Sequence, residues 1–174
     1  ITFDDGYLDN VDVAAPMLVE VGMPATFFVT GWSLAGGREF WWDELEHLLG
    51  PDSPDPADPV FETVLAGRRL RVNLGDRDAR ARAATAITTR SYDAEPDDIR
   101  ATVDALSGHL GVELAVCDAH RHALDSGIAR LAGLPGVTIG AHSVRHANVT
   151  VLSASDRDLE LRDAKRRLEE ITHR

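Results

Sequence analysis

Two adjacent carboxylates near the start of the chain are the first residues that could do chemistry. Asp4 and Asp5 follow the short strand-like run of residues 1–3 and precede Gly6. Side chains alternate in direction along a strand, so the two acids point apart unless the chain bends there, and Gly6 permits the bend. One carboxylate could then bind a metal while the other stays free as a base. An Asp-Asp-Gly run alone is most often a solvated turn, so this interpretation needs a partner elsewhere in the chain.

Two histidines far downstream supply that partner. His142 and His146 lie four residues apart, directly after the apolar segment 137–141. If the chain turned helically there, both imidazoles would fall on one face about a turn apart. Two histidines and one carboxylate leave a position open for water, as in catalytic rather than structural zinc sites. We predict a divalent metal, Zn²⁺ first, with Co²⁺ or Ni²⁺ also compatible with these ligands.

The residue after the first histidine argues against a zinc protease. A protease helix with this histidine spacing carries Glu directly after the first histidine as its general base, whereas Ser143 stands here. The base must therefore come from elsewhere. The Asp4 and Asp5 pair offers both a third ligand and a base.

In their order along the chain, these motifs resemble those of the polysaccharide deacetylases, a family also called the NodB-homology domain or carbohydrate esterase family four. Residues 2–6, Thr-Phe-Asp-Asp-Gly, resemble the first motif of the family, and residues 142–146 resemble its His-Ser/Thr-x-x-His motif. Residues 9–10 and the segment 24–29 are also similar to the family's residues downstream of the first motif. The resemblance implies an α/β fold, a distorted (β/α) barrel that is incomplete in this chain.

The resemblance also implies a role for each residue of the site. A base would take a proton from water, three ligands would hold the metal, and two residues would support the turn and the loop. The base is Asp4, the ligands are Asp5, His142 and His146, and the supporting residues are Gly6 and Ser143, whose hydrogen bond would tie the loop down.

The chain departs from the family pattern in two places. Ala147 stands where the family usually has Pro after the second histidine. The family's later motifs supply an arginine that orients the base, aromatic residues around the substrate, and a histidine that acts as the acid. Nothing after His146 provides them, so we expect residues 1–174 to be a partial catalytic domain, a fragment of a longer one.

Composition narrows the classes of partner. With 174 residues, 44% of them hydrophobic, the chain is long enough for one domain with a sizeable core. Its formal net charge of -11 argues against nucleic acid or an anionic membrane as the main partner. A neutral or cationic substrate such as a carbohydrate suits it better. No apolar run is long enough to span a bilayer, and the compartment and oligomeric state stay open.

Strands and helices alternate around the candidate ligands. Apolar spacing predicts a helix over residues 12–21, a strand over 25–29, a helix around 123–131 and a strand over 137–141. Ligands that follow the ends of such β/α units predict a parallel barrel with the active site at that end.

A final helix is predicted from about residue 156 to residue 171. Ser155 with Asp158 three residues later resembles a capping box at its start. The predicted buried stripe of this helix consists of Leu161, Ala164, Leu168 and Ile171.

A long insertion, roughly residues 32–119, separates the two halves of the predicted barrel. The three aromatic residues 40–42 favour packing over a platform for stacking sugars. In chain order the pattern predicts a helix from these aromatics to residue 49, a proline-punctuated loop, a hairpin of strands 60–65 and 70–74, and helices over 76–88 and 96–110.

The sequence thus predicts a metal-dependent hydrolase that removes N-acetyl (or O-acetyl) groups from an amino-sugar-containing polysaccharide or glycan precursor. Two alternatives stay open. One is an amidase or cyclic imidase that acts on small molecules on the same fold. The other is a non-catalytic barrel that binds carbohydrate without turnover.

Overall fold

A computed structural model describes residues 1–31 and 37–173 and divides the chain into two compact units. Unit 1 consists of Ile1–Gly37 and Val116–Arg174, and unit 2 of Arg38–Ala115. All six residues of the predicted site lie in unit 1. The predicted insertion covers the whole of unit 2, and its first residue, Trp32, lies outside the described residues.

The elements alternate between helix and strand in unit 1 and form a hairpin with three helices in unit 2. In chain order they are β1 (Thr2–Phe3), a π-helical turn (Asn10–Ala14), α1 (Ala15–Glu20), β2 (Ala25–Val29), α2 (Trp41–Leu49), β3 (Val60–Leu65), β4 (Arg68–Asn73), α3 (Arg77–Ser91), α4 (Pro96–Leu110), a 3₁₀ turn (Asp118–His120), α5 (Asp125–Ala132), β5 (Val137–Ala141) and α6 (Ala154–Thr172).

Three parallel strands form the sheet of unit 1, in the order β1-β2-β5. Phe3 pairs in register with Phe27, and Phe27 in turn with Ile139. Their carboxyl ends therefore lie at one edge of the sheet. The α/β class with a parallel sheet is confirmed, whereas closure of the sheet into a barrel remains a prediction.

The core of unit 1 lies between this sheet and its helices. Every second residue of β2 is buried, beginning at Ala25, which matches the alternation of side chains along a strand. Phe3 stacks on Phe27 with ring centroids 4.9 Å apart. The buried cluster comprises Val11, Ala15, Ala25, Phe27, Val29, Ala123, Ile128, Leu131, Leu168 and Ile171.

The last helix differs from its prediction at its start and along its buried face. The N-cap is Ser153 rather than Ser155, and its hydroxyl accepts a hydrogen bond from Asp156 N at 3.2 Å. Leu161, predicted to be buried, is 53% exposed, while Glu160 beside it is 2% exposed. The buried stripe of α6 is therefore Glu160, Ala164, Leu168 and Ile171, which repeats at helical spacings of three and four.

Unit 2 packs α2, α3 and α4 with the β3-β4 hairpin around a core of its own. The hairpin is close to its prediction, although β4 already begins at Arg68, after the two-residue loop Ala66 and Gly67, both with positive φ. Phe40 is buried and stacks on Trp42 with centroids 4.3 Å apart, and Trp41 packs against the core of the unit. Packing, as predicted, accounts for these aromatic residues.

No helix within residues 1–31 and 37–173 has both the length and the apolar character that a span of the bilayer needs.

Candidate metal centre

The three predicted ligands come together at the carboxyl ends of the parallel strands. Asp5 follows β1, and His142 and His146 follow β5. Their ligand atoms all lie within 4.8 Å of one another. Asp5 Oδ1 is 3.2 Å from His146 Nε2 and 3.5 Å from His142 Nε2. The fold thus joins two motifs that lie at opposite ends of the sequence.

The turn after β1 separates the two acids. Asp5 and Gly6 both have positive φ, 72° and 86°. The Asp5 carbonyl accepts hydrogen bonds from Thr30 Oγ1 at 3.2 Å and from Thr30 N at 3.4 Å, which hold the aspartate in this uncommon conformation. A Cβ on Gly6 would lie 2.9 Å from Cγ1 of Val29. The chain therefore needs glycine at this position for two reasons, its backbone angle and its closeness to β2.

Asp4 lies on the open side of the same turn. Its side chain is exposed, and it is not one of the three clustered ligands. Its carbonyl accepts hydrogen bonds from Gly6 N at 2.9 Å and from Asn10 Nδ2 at 3.3 Å, so its backbone is fixed. Its negative charge still contributes to the raised pKa of His146. Asp4 is thus electrostatically coupled to the cluster while remaining open to solvent.

The loop after β5 brings the two histidines together without a helical turn. His142 N donates to the carbonyl of Val29 at 2.9 Å, and Gly31 N donates to the carbonyl of Ser143 at 2.9 Å. Ser143 and His146 have positive φ, 60° and 53°. The helical conformation considered from the four-residue spacing was therefore wrong. The imidazole rings nevertheless meet, with centroids 4.8 Å apart.

The sequence analysis did not identify Glu160, the residue whose side chain binds this loop. The Ser143 hydroxyl makes no hydrogen bond within residues 1–31 and 37–173, and this residue holds the loop through its carbonyl instead. Glu160, on α6, accepts hydrogen bonds from the backbone N–H groups of Val144 and Arg145. The only signal in the sequence was its position four residues before Ala164, on the buried face of the helix.

The two distances from Asp5 Oδ1 to the imidazole nitrogens match those around a bound divalent metal. Asp5 Oδ1 is buried and lies close to both imidazole Nε2 atoms. Tetrahedral zinc with bonds of about 2.0–2.1 Å sets its ligand atoms about 3.3–3.5 Å apart. The observed 3.2 and 3.5 Å agree with that spacing. A cation between these atoms would interact favourably with the buried Asp5 carboxylate oxygen, and a donor set of one carboxylate and two imidazoles fits zinc.

Hydrogen bonding to the Asp5 carboxylate, followed by its negative charge, favours protonation of His146. The adjacent Asp5 carboxylate raises the pKa of His146 above its usual 6.5, while burial of the imidazole acts in the opposite direction. In the metal-free protein the carboxylate therefore favours a proton on His146. A metal has to displace that proton, because only the neutral imidazole is a ligand.

Comparison with known proteins agrees with the motif at the start of the chain. The family model described as polysaccharide deacetylase matches residues 1–50. This match confirms the resemblance to that family, over a segment that contains Asp4 and Asp5 but not His142 or His146. Searches of curated proteins and of solved structures found no match.

Proposed function

We propose that the chain is a metal-dependent hydrolase that removes N-acetyl (or O-acetyl) groups from an amino-sugar-containing polysaccharide or glycan precursor. The observation that carries the proposal is the juxtaposition of Asp5, His142 and His146 with a second, exposed acid beside them. The polysaccharide deacetylase match over residues 1–50 supports this reaction class for the site.

The fold that we propose for the site is a distorted (β/α) barrel. Three parallel strands with helices between them are its expected building units. In such barrels the functional residues follow the carboxyl ends of the strands. Asp5, Thr30 and His142 each follow one of the three strands at that end, which supports the assignment.

In the proposed reaction the residues of the chain divide the work. A divalent ion bound there would polarise the acetyl carbonyl and lower the pKa of its water to about 7. Asp5, His142 and His146 would hold that ion. Asp4 would accept the proton of the attacking water, whose oxygen would bond to the carbonyl carbon. The carbon–nitrogen bond would then break, acetate would leave, and the nitrogen would take up a proton from solvent. Such a base contributes roughly 10²- to 10⁴-fold to the rate.

A carbohydrate suits the charge of the protein. The chain carries 29 acidic against 18 basic residues, which disfavours polyanions such as nucleic acids. An amino-sugar polymer whose acetyl groups have been partly removed carries positive charge on the freed amines. The proposed product would therefore be attracted to this protein rather than repelled.

The reaction is tested by identifying its product. The full-length protein, loaded with zinc, is incubated with N-acetylglucosamine oligomers, and acetate is measured enzymatically. We expect acetate release that stops after chelation and returns when zinc is added back. Small amides and cyclic imides are assayed in parallel for ammonia and ring opening.

Each of the other outcomes would contradict the proposed function. Ammonia release or ring opening without acetate release would indicate the small-molecule amidase or cyclic imidase. Binding of the oligomers without turnover, measured by calorimetry, would indicate a carbohydrate-binding protein. Acetate release that survives chelation would overturn the metal-dependent assignment.

A further inference from the structure

Glu160 is a buried carboxylate that binds the loop between the two histidines. It lies on α6 and is 2% exposed. Its Oε2 accepts hydrogen bonds from Val144 N and Arg145 N, each at 2.8 Å, and its Oε1 accepts one from Arg145 Nε at 2.6 Å. A single side chain of α6 thus accepts hydrogen bonds from two consecutive backbone N–H groups between His142 and His146.

The chemistry of these bonds makes the contact strong. A buried carboxylate is unfavourable unless it is paired and hydrogen-bonded. Here the charge of Glu160 meets two backbone donors and one guanidinium, and hydrogen bonds to an ionised acceptor are stronger than those between neutral groups. Loss of the carboxylate would leave two N–H groups without their acceptor, so the loop would have to rearrange.

The loop needs such support because of its backbone conformation. Ser143 and His146 both have φ in the left-handed region, which residues other than glycine seldom adopt unless their surroundings impose it. The first half of the loop is bound to β2 and the residues after it, through His142 N and the Ser143 carbonyl. Glu160 binds the second half, immediately before His146.

We propose that Glu160 is a positioning residue of the metal centre. Its carboxylate holds the Val144 and Arg145 amides so that His142 and His146 both present Nε2 to Asp5. The inference rests on the proposed metal site. Its effect falls mainly on His146, because the bond from His142 N to the Val29 carbonyl anchors the first histidine independently.

The test compares two substitutions of Glu160 with a matched control in the full-length protein. Glu160→Gln keeps the size of the side chain and removes its charge. Glu160→Asp keeps the charge and shortens the side chain by one methylene. Glu170→Gln makes the same chemical change as the first variant, at a site on α6 whose side chain is 59% exposed. Zinc affinity is measured by chelator competition, ligation by the visible spectrum of the Co²⁺ form, and folding by thermal melting without metal.

The positioning role makes a distinct expectation for each variant. Glu160→Gln should weaken zinc binding about tenfold or more, as loss of a group that orients metal ligands typically does, and should alter the Co²⁺ spectrum. Glu170→Gln should match the wild type in both. Glu160→Asp should weaken binding like Glu160→Gln, because the shorter carboxylate cannot reach both amides, whereas simple attraction of a cation by a negative charge predicts wild-type affinity for it.

Several results would overturn the inference. One is a Glu160→Gln variant with the zinc affinity and Co²⁺ spectrum of the wild type. If its metal-free melting temperature also falls, Glu160 stabilises the fold without positioning the metal ligands. If Glu160→Gln does not fold, wild-type affinity in Glu160→Asp overturns it. A wild-type protein that binds neither ion would refute the metal centre and this inference together, whereas zinc binding that is insensitive to Glu160 would refute only the inference.

Discussion

At the scale of single residues, backbone conformation gives two chemically identical neighbours different environments. Asp5, in the left-handed region, turns its carboxylate onto the two histidines and is partly buried, while Asp4 stays exposed. Adjacent carboxylates in unlike surroundings are a common way to divide an acid-base task between two groups. The division in this chain depends on Gly6 and on the bonds that Thr30 makes to the Asp5 carbonyl.

The first prediction concerns the roles of the two acids. Asp4→Asn should keep zinc bound but reduce acetate release by about 10²- to 10⁴-fold, because it removes the base and preserves the shape of the turn. Asp5→Ala, in contrast, should lose the metal and with it the activity. Metal content by atomic emission, measured beside acetate release, separates the two effects. Loss of zinc from Asp4→Asn, or full activity in that variant, would contradict the assignment.

The second prediction concerns the glycine of the turn. Gly6→Ala places a Cβ against Val29 at a φ of 86°, whereas Gly22→Ala, at a φ of 68°, meets nothing within 4 Å. Gly22→Ala should therefore reduce the free energy of unfolding by about 1–2 kcal/mol, the cost of a left-handed backbone at a residue other than glycine. Gly6→Ala should reduce the free energy of unfolding by more. Urea unfolding of both variants gives the two losses. Equal losses in free energy of unfolding would show that the contact with Val29 relaxes at no cost.

The third prediction concerns pH. The Asp5 carboxylate raises the pKa of His146 above its usual 6.5. In the metal-free protein, protonation of His146 therefore stabilises the fold fully at pH values below 6.5. This stabilisation is lost as the pH rises through the raised pKa of His146. Zinc competes with that proton. Zinc affinity should therefore rise with pH across this range, and binding should release protons, which calorimetry in buffers of different ionisation enthalpy measures. A pH-independent affinity from about 5.5 to 8, a range that brackets the usual histidine pKa, would contradict this competition.

At the scale of elements, the fourth prediction tests the start of α6. Ser153 accepts the capping bond from Asp156 N, while Ser155, the residue that the sequence pattern favoured, lies inside the helix. Ser153→Ala should therefore reduce the free energy of unfolding by about 0.5–2 kcal/mol. Ser155→Ala, its matched control, should change stability by less than about 0.5 kcal/mol. Chemical denaturation compares the two, and a larger loss in Ser155→Ala would favour Ser155 as the cap.

The elements that could be predicted are those with strong local signals. The strands 25–29 and 137–141 were predicted at their observed bounds because each is a short apolar run beside a glycine or proline. The start of α6 was not, since Ser153 and Ser155 are both capping residues and both have an aspartate three positions later. Local chemistry does not distinguish the two caps, and packing of the helix decides between them.

The candidate site shows the same division between local and long-range information. His142, His146 and the pair of Asp4 and Asp5 were selected from residue type and spacing. The family resemblance assigned Asp5 as the ligand, and the fold brings Asp5 together with both histidines. Glu160 was not selected, because a glutamate on a charged helix is usually solvated. Its burial follows from two backbone N–H groups of a loop sixteen and fifteen residues earlier, and no spacing rule anticipates that contact.

At the scale of the whole molecule, the candidate ligands and the groups that contact their loops belong to one unit. Asp5, Thr30, the histidine loop and Glu160 all lie in unit 1, and unit 2 has a separate core. Unit 2 also has its own buried charge cluster, in which Glu44, 3% exposed at its side chain, pairs with Arg38 and Arg100. Different residues therefore stabilise each unit.

The fifth prediction uses this separation. Leu168 on α6 lies in the core of unit 1 and is 6% exposed, and Leu106 on α4 lies in the core of unit 2 and is fully buried. Each Leu→Ala substitution should cost about 2–5 kcal/mol of stability. Leu168→Ala loosens the helix that carries Glu160, so it should also weaken zinc binding, whereas Leu106→Ala should leave zinc affinity unchanged.

Both variants are examined under conditions in which circular dichroism shows them folded, with zinc affinity measured by chelator competition. The pairing matters because the two substitutions delete the same atoms from buried helical positions and differ only in the core that they affect. An equal loss of zinc affinity in both would show that the metal centre responds to the stability of the whole chain. Unchanged affinity in Leu168→Ala would instead show that the Glu160 contact survives a cavity two turns further along its helix.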